Sequence, residues 1–218
     1  MKQSLVNCSV SVQVGVSELR LTEGMVGLLR PQFVLFGDSI TEQSFRPGGW
    51  GTALADTYSR KADIVVRGYG GYNTRWALFL LNHLFPLFSG QSCATPPAAT
   101  TIFFGANDAA LQGRTSERQH VPVDEYRENL RKIIHHLKEC SPSMVVVLIT
   151  APPVDEKGRE EYAHDGLHLT AEGNAIVHKE LVEVLKDAGF RAENMLYDFP
   201  HHSEIDGDHP EKAFCKKS

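Results

Sequence analysis

The chain has 218 residues, of which 42% are hydrophobic and 22% charged; that is enough for one domain with a substantial core or two small ones. A formal net charge of −5 gives no electrostatic reason to expect nucleic acid or an anionic membrane surface as partner. No apolar run approaches the roughly 18 residues of a membrane span.

The opening "MKQSLVNCSVSVQVGVSELR" is interrupted by polar residues throughout, so no signal-peptide core is predicted and a cytoplasmic location is expected. Within it Val10, Val12, Val14 and Val16 alternate with polar residues, the pattern of a half-buried strand. Cys8, Cys93, Cys140 and Cys215 are scattered, with no C-x-x-C and no metal-ligand spacing. They read as free thiols in a reducing compartment, with a disulfide as the open alternative.

From residue 31 onward the pattern alternates. "FVLF" (33–36) is a buried-strand run, and Trp50, Leu54 and Tyr58 then share one helical stripe. "DIVV" (63–66) is a second strand, followed by "TRWALFLLNHLF" (74–85), an apolar helix. "TTIFF" (100–104) is a third strand, and Tyr126, Leu130, Ile133, Ile134 and Leu137 mark the next helix. "MVVVLIT" (144–150) is a fourth strand, closed by Pro152-Pro153. A last helix carries Val177, Leu181, Val184 and Leu185, with Thr170 as its predicted N-cap. The end, "YDFPHHSEIDGDHPEKAFCKKS", reads as a loose polar tail. Its His201, His202 and His209 lie among acidic residues, but a solvated tail explains them more simply than a metal site.

Strands alternating with helices predict an α/β fold, with a parallel sheet of about four strands covered on both faces. Near-continuous apolarity in the strands is what double-sided burial requires. Sites in such sheets form at the loops leaving the carboxyl ends of the strands. Here those exits are Gly37-Asp38-Ser39, "RGYGGYN", "GANDAA" and "APPV". Three of the four are rich in Gly, Asn, Asp and Ser.

Ser39 can attack an acyl carbon only if a base takes its proton and donors receive the negative oxygen. His168, in "HDGLHLT" (164–170), is the candidate base, and Asp165 the group that would fix its tautomer. Candidate oxyanion donors are the backbone N–H groups of Ser39 and Gly71 and the side-chain amide of Asn107. Each residue has a plainer reading when taken alone. A serine after a strand is ordinarily a helix N-cap, Asn107-Asp108 and the Gly70-Gly71 pair ordinarily turns, and "HDGLH" ordinarily a surface loop. A metal held by His164 and His168 lacks an obvious third ligand. Asp38 is expected to tie the strand-exit loop through backbone hydrogen bonds, and Trp50 to belong to the core stripe rather than to an acyl pocket with Phe45.

Six blocks in order change the weighing: "FGDSITEQSF", "GGWGTALAD", "RGYGGYNTRWA", "FFGANDAAL", "HVPVDEYRENLRKI" and "DGLHLTAEGN". Spread over roughly residues 31–187, they resemble the SGNH (GDSL-motif) hydrolases, in particular plant-like members of the isoamyl-acetate-hydrolysing esterase group. The resemblance implies a three-layer α/β/α flavodoxin-like fold and hydrolysis of small acyl esters, acetate esters of short alcohols among them. Matched position by position, Ser39 is the nucleophile, Asp165 and His168 complete the triad, and Gly71 and Asn107 join Ser39 in the oxyanion hole. It implies no metal or organic cofactor and no partner beyond a small-molecule ester, and it leaves monomer or homo-oligomer undecided. Arg75 is expected to brace the loop carrying Gly71. The hydrolase domain is placed at residues 25–190, between an N-terminal extension (1–24) outside the match and the tail (191–218). A phosphate- or flavin-binding fold of the same topology is disfavoured by Asp38 and Glu42, whose charge opposes an anion at the first strand exit.

The chain departs from this pattern in one place. Relatives carry a helix, a strand and a helix between the fourth strand and the Asp-His motif, whereas "APPVDEKGREEYAHDGLH" connects them almost directly. In the flavodoxin-like strand order 2-1-3-4-5, the missing strand is the edge, and "VVVLIT" would be exposed in its place. Leaving about 200 Å² of apolar surface wet costs roughly 5 kcal/mol, comparable to the lower end of a typical domain's stability of about 5–15 kcal/mol. Two outcomes follow: a catalytically impaired or unstable variant with a binding or regulatory role, or a substitute edge strand supplied by Val10–Val16 or a second copy of the chain.

Overall fold

Four apolar runs build the sheet. In the computed structural model, which describes residues 10–13, 30–87, 96–152 and 166–214, they are β2 (Gln32–Gly37), β3 (Asp63–Gly68), β4 (Ala99–Phe103) and β5 (Val145–Ile149). β2 pairs in parallel with β3 on one side and β4 on the other, and β4 pairs in parallel with β5. A further strand, β1 (Val10–Gln13), runs antiparallel along β5, and the order is β1-β5-β4-β2-β3. The expected α/β architecture with four parallel strands is therefore present.

Successive residues of each central strand point to opposite faces, and both faces are covered. Phe33, Leu35, Phe103, Val145 and Val147 pack beneath α2 (Trp50–Thr57) and α6 (Ala171–Asp187), which bury Trp50, Leu54, Val177 and Leu181. Val34, Phe36, Ile102, Phe104 and Val146 pack beneath α4 (Leu81–Leu84) and α5 (Val123–Cys140), which supply Leu81, Ile133 and Leu137. Trp50 is fully buried and donates its indole N–H to the Ile40 carbonyl at 3.3 Å, so it is core, as its stripe implied.

The run at 74–85 departs from the continuous helix predicted for it. It forms α3 (Thr74–Ala77), a tightened 3-10 turn (Leu78–Leu80) and then α4. Apolar residues occupy most positions of "WALFLL", so no single stripe dictates one α-helical face. The turn leaves Leu81 and Phe85 buried while Phe79 is 75% exposed.

At the opposite edge, β5 is not left open. The backbone of Val10–Gln13 pairs with Ile149–Val146, which gives the outer N–H and C=O groups of β5 partners they would otherwise lack. The substitute edge strand anticipated for Val10–Val16 is thus formed over Val10–Gln13. Where the polar end of the chain, expected to be loose, begins, Asp198 and Phe199 are anchored to the domain. Asp198 accepts from Arg30 Nε at 2.9 Å and from Arg60 Nε at 3.2 Å, and Arg60 Nη2 donates to the Phe199 carbonyl at 2.6 Å. No helix among the described residues is long and apolar enough to cross a membrane.

Deleting residues 1–24 is expected to lower the melting temperature by about 4 °C or more, the effect of roughly 2 kcal/mol on a domain of this size, and to promote aggregation. Thermal unfolding and light scattering of the truncated chain check this; unchanged values would remove β1 from the account.

Candidate active site

β2 ends in Gly37, and the chain folds back at once into α1 (Ser39–Glu42). A side chain at Gly37 is excluded, because a Cβ there would lie 2.1 Å from Thr41 Oγ1 and 2.5 Å from the Phe103 carbonyl. Asp38 caps the short helix, its Oδ1 accepting from Ile40 N–H at 3.0 Å, as expected for a residue that ties the loop. Ser39 thereby becomes the first helical residue, half-buried at the carboxyl end of the central strand.

His168 arrives from the other end of the sequence. Its Nε2 lies 2.7 Å from Ser39 Oγ, a hydrogen-bond contact between residues 129 positions apart. The segment carrying it is fixed by two residues of α6 and its cap. Thr170 accepts from Gly173 N–H at 3.2 Å. Asn174 donates to the Thr170 carbonyl at 2.9 Å while its Oδ1 accepts from Trp50 N–H at 3.0 Å, supplying the side-chain cap that Gly49 cannot give α2. Asp165 lies outside the described residues.

The remaining candidates sit on the next two strand exits. After β3, Tyr69 N–H donates to the Gly37 carbonyl at 2.9 Å and Gly70 N–H to Glu42 Oε2 at 2.6 Å, which binds this loop to β2 and α1. Gly71 adopts a left-handed conformation, φ +78°, that disfavours any side chain. Asn107 is buried and its Nδ2 donates to the Tyr72 carbonyl at 2.8 Å, so its amide lies against the Gly71 loop. That bond uses one of the two amide hydrogens and leaves the second for a ligand.

Several positioning residues had no sequence signal. Gln119 donates to the Gly71 carbonyl at 2.8 Å and its own carbonyl accepts from Asn73 Nδ2 at 2.8 Å. Asp108 accepts from Thr74 N–H at 3.0 Å and from the Thr74 hydroxyl, joining the β4 exit to the start of α3. Glu42, counted in the sequence only as a negative charge, is a hydrogen-bond acceptor for the loop. Arg75 does not brace the Gly71 loop. It makes a two-pronged bond to Glu125 of α5, 2.6 Å and 2.7 Å, and holds α3 against that helix.

Two buried carboxyl groups lie under this surface. Burial holds Asp108 above the usual carboxylate range despite its bonds to Thr74. Asp38 is fully buried and its Oδ2 has no hydrogen-bond partner, so desolvation pushes it up to about 7, with the charge of Asp108 adding to the shift and the Ile40 N–H opposing it.

Two clefts open on this surface, one along the Gly71 loop and one beside His168. One, of about 450 Å³, is bordered by Gly71, Tyr72, Trp76, Phe79 and Leu80, with Arg118 at 5.8 Å from the Trp76 ring centre. The other, of about 270 Å³, is bordered by His168, Gln43, Arg46 and Asn174.

Residues 33–164 match the family model described as GDSL-like lipase/acylhydrolase. A GDSL esterase/lipase of Arabidopsis thaliana is 53% identical, over 85% of this chain and 98% of that protein. The alignment spans 241 positions, more than the 218 residues of the chain, so the relative carries residues that this chain lacks. An isoamyl acetate-hydrolyzing esterase 1 homolog of Rattus norvegicus is 48% identical over 62% of this chain and 53% of its own length. Among solved structures, the crystal structure of TesA superposes with a TM-score of 0.52 at 16% identity, covering 72% of this chain and 99% of TesA, a likeness of fold.

The raised Asp38 gives a pH signature. A carboxyl that holds its proton more tightly when folded contributes stability that is full below its unfolded value, near 3.8, and is lost as pH rises through about 7. Asp38→Asn is therefore expected to flatten the decline in stability between pH 4 and about 7. Urea unfolding at a series of pH values measures this, and parallel profiles for parent and variant would contradict it.

Proposed function

The chain belongs to the GDSL-like lipase/acylhydrolase family, and from that premise we propose that it is a serine ester hydrolase acting on small acyl esters, acetate esters of short alcohols among them. The observation that carries this reading is the 2.7 Å contact between His168 Nε2 and Ser39 Oγ.

His168 accepts the hydroxyl proton as Ser39 Oγ bonds to the acyl carbon. The carbonyl oxygen, now negative, is received by the N–H groups of Ser39 and Gly71 and by the Asn107 amide. The ester C–O bond then breaks, and the departing alcohol oxygen takes the proton from His168. In the second half His168 removes a proton from water, the resulting hydroxide adds to the acyl-enzyme, and the carbonyl–Oγ bond breaks with return of the proton to Ser39. The carboxylic acid leaves. Asp165 holds His168 in the required tautomer in this scheme, a role taken from the resemblance of "DGLHLTAEGN" (165–174) to the family's block. The choice of acyl group and alcohol also rests on the family, because fold and triad alone do not select an alcohol.

One observation favours a rival reading, an esterase fold with reduced turnover: the chain is shorter than its alignment to the Arabidopsis relative. β1 counters it by pairing the edge of β5.

Purified chain is expected to hydrolyse a short-acyl chromogenic ester and to be labelled by a serine-directed phosphonate. Ser39→Ala should abolish labelling and lower kcat by roughly a thousandfold or more, and Asn107→Ala should lower kcat by roughly a hundredfold to a thousandfold. A folded parent that neither labels nor turns over ester would refute the hydrolase reading.

A further inference from the structure

The cleft of about 270 Å³ beside His168 has a second border in residues 46–49. There "RPGG" folds as a type II turn. Pro47 takes the second position, Gly48 the third with φ +76°, and Gly49 N–H donates to the Arg46 carbonyl at 2.8 Å. Asn174 ties the two borders together. Its Oδ1 accepts from Trp50 N–H at 3.0 Å, and its Nδ2 donates to the Leu169 and Thr170 carbonyls at 3.3 Å and 2.9 Å. The backbone that carries Arg46 is thus held relative to the segment that carries His168.

Arg46 differs from the arginines that build the fold. Arg30, Arg60 and Arg75 each reach a carboxylate, on Asp198 or Glu125. Arg46 makes no ion pair among the described residues; its Nη1 donates to the neutral Gln43 Oε1 at 3.1 Å. None of the described residues bordering the cleft is Asp or Glu. Two flanking carboxylates are engaged elsewhere. Glu42 accepts from Gly70 N–H at 2.6 Å. In the α6 cap, its own backbone N–H and the Thr170 hydroxyl hold Glu172 below the usual carboxylate range. A guanidinium with donors to spare, at a cleft without carboxylates, suits an oxyanion, which accepts two parallel N–H bonds.

The proposed chemistry directs one part of the ester to this cleft. The leaving oxygen takes its proton from His168 Nε2, so it must lie within hydrogen-bond reach of that atom. The alcohol portion attached to that oxygen then faces the cleft that His168 borders. A volume of about 270 Å³ lies just under the range of about 300–1,000 Å³ for whole small-molecule sites, room for part of a substrate.

We infer that Arg46 is a specificity-determining residue, and that the substrate class is a small acyl ester of a short alcohol bearing an anionic group, carboxylate or phosphate. Arg46 receives the anionic group while His168 protonates the departing oxygen. This inference rests on Ser39 and His168 acting as proposed above.

The full chain would be assayed at low salt with four acetyl esters of similar length: propyl acetate, 3-acetoxypropionate, 2-acetoxyethyl phosphate and the cationic acetylcholine. kcat/KM is expected to be about fivefold to tenfold higher for an anionic ester than for the neutral one, the worth of charge-assisted bonds at an exposed group, and lowest for the cation. The faster of the two anionic esters tells carboxylate from phosphate. Arg46→Gln should remove most of the preference, and a tenfold rise in salt should shrink it in the parent. Arg46→Glu should reverse it in favour of the cationic ester, a result that structural damage would not produce. Equal kcat/KM for neutral and anionic esters, or an anionic preference that survives Arg46→Glu, would overturn the inference. Ser39 labelling by a neutral methylphosphonate separates it from the hydrolase reading. A parent that labels and hydrolyses propyl acetate with no anionic preference loses the Arg46 subsite alone, whereas one that neither labels nor turns over any ester loses both.

Discussion

A single hydrogen bond, Ser39 Oγ to His168 Nε2 at 2.7 Å, sets what the rest of the chain must accomplish. Neither side chain can be placed by its neighbours in sequence. Ser39 is positioned because β2 is buried on both faces and ends at a glycine that lets α1 fold back onto the strand. His168 is positioned because α6 packs on the sheet through Val177, Leu181 and Leu185 and is tied to α2 through Asn174 and Trp50. The core therefore fixes two helix starts relative to one strand end.

The side proposed to receive the oxyanion follows the same logic with polar rather than apolar contacts. The loops after β3 and β4 are joined to α1 and to each other by Glu42, Gln119, Asn107 and Asp108, and the partner in each case is a backbone group or a buried hydroxyl. Such a network holds backbone donors in place before any substrate arrives, which is the condition for stabilising a developing negative charge without rearrangement. It also carries a cost. Asp38, which caps the helix that presents Ser39, is buried with one oxygen unpartnered, and desolvation raises its carboxyl to about 7.

The edge of the sheet shows how a fold tolerates an altered connection. β5 is buried on both sides, and an open apolar edge there would invite association between chains. β1 closes it by backbone pairing in antiparallel sense. Because edge pairing depends on backbone N–H and C=O groups, a strand of unrelated sequence and opposite direction serves as well as a parallel one.

Much of this was legible along the chain. The apolar runs at 33–36, 63–66, 100–104 and 144–150 determined the strands, helical spacing determined α2, α5 and α6, and Thr170 announced its cap. Local pattern sufficed there because burial period and capping are properties of neighbouring residues. The break of 74–85 into two helices was not legible, since a run apolar on all sides carries no face. Nor were the partners of Arg75, Asp198 and Asn174, each an ion pair or hydrogen bond formed with a distant segment. By itself the sequence named the candidate groups and the strand exits that carry Ser39, Gly71 and Asn107. Only the tertiary structure decided that Ser39 and His168 touch, that β1 covers β5, and that an aromatic cleft opens behind Gly71, because contacts between distant segments are set by how whole faces pack and leave no mark on local periodicity.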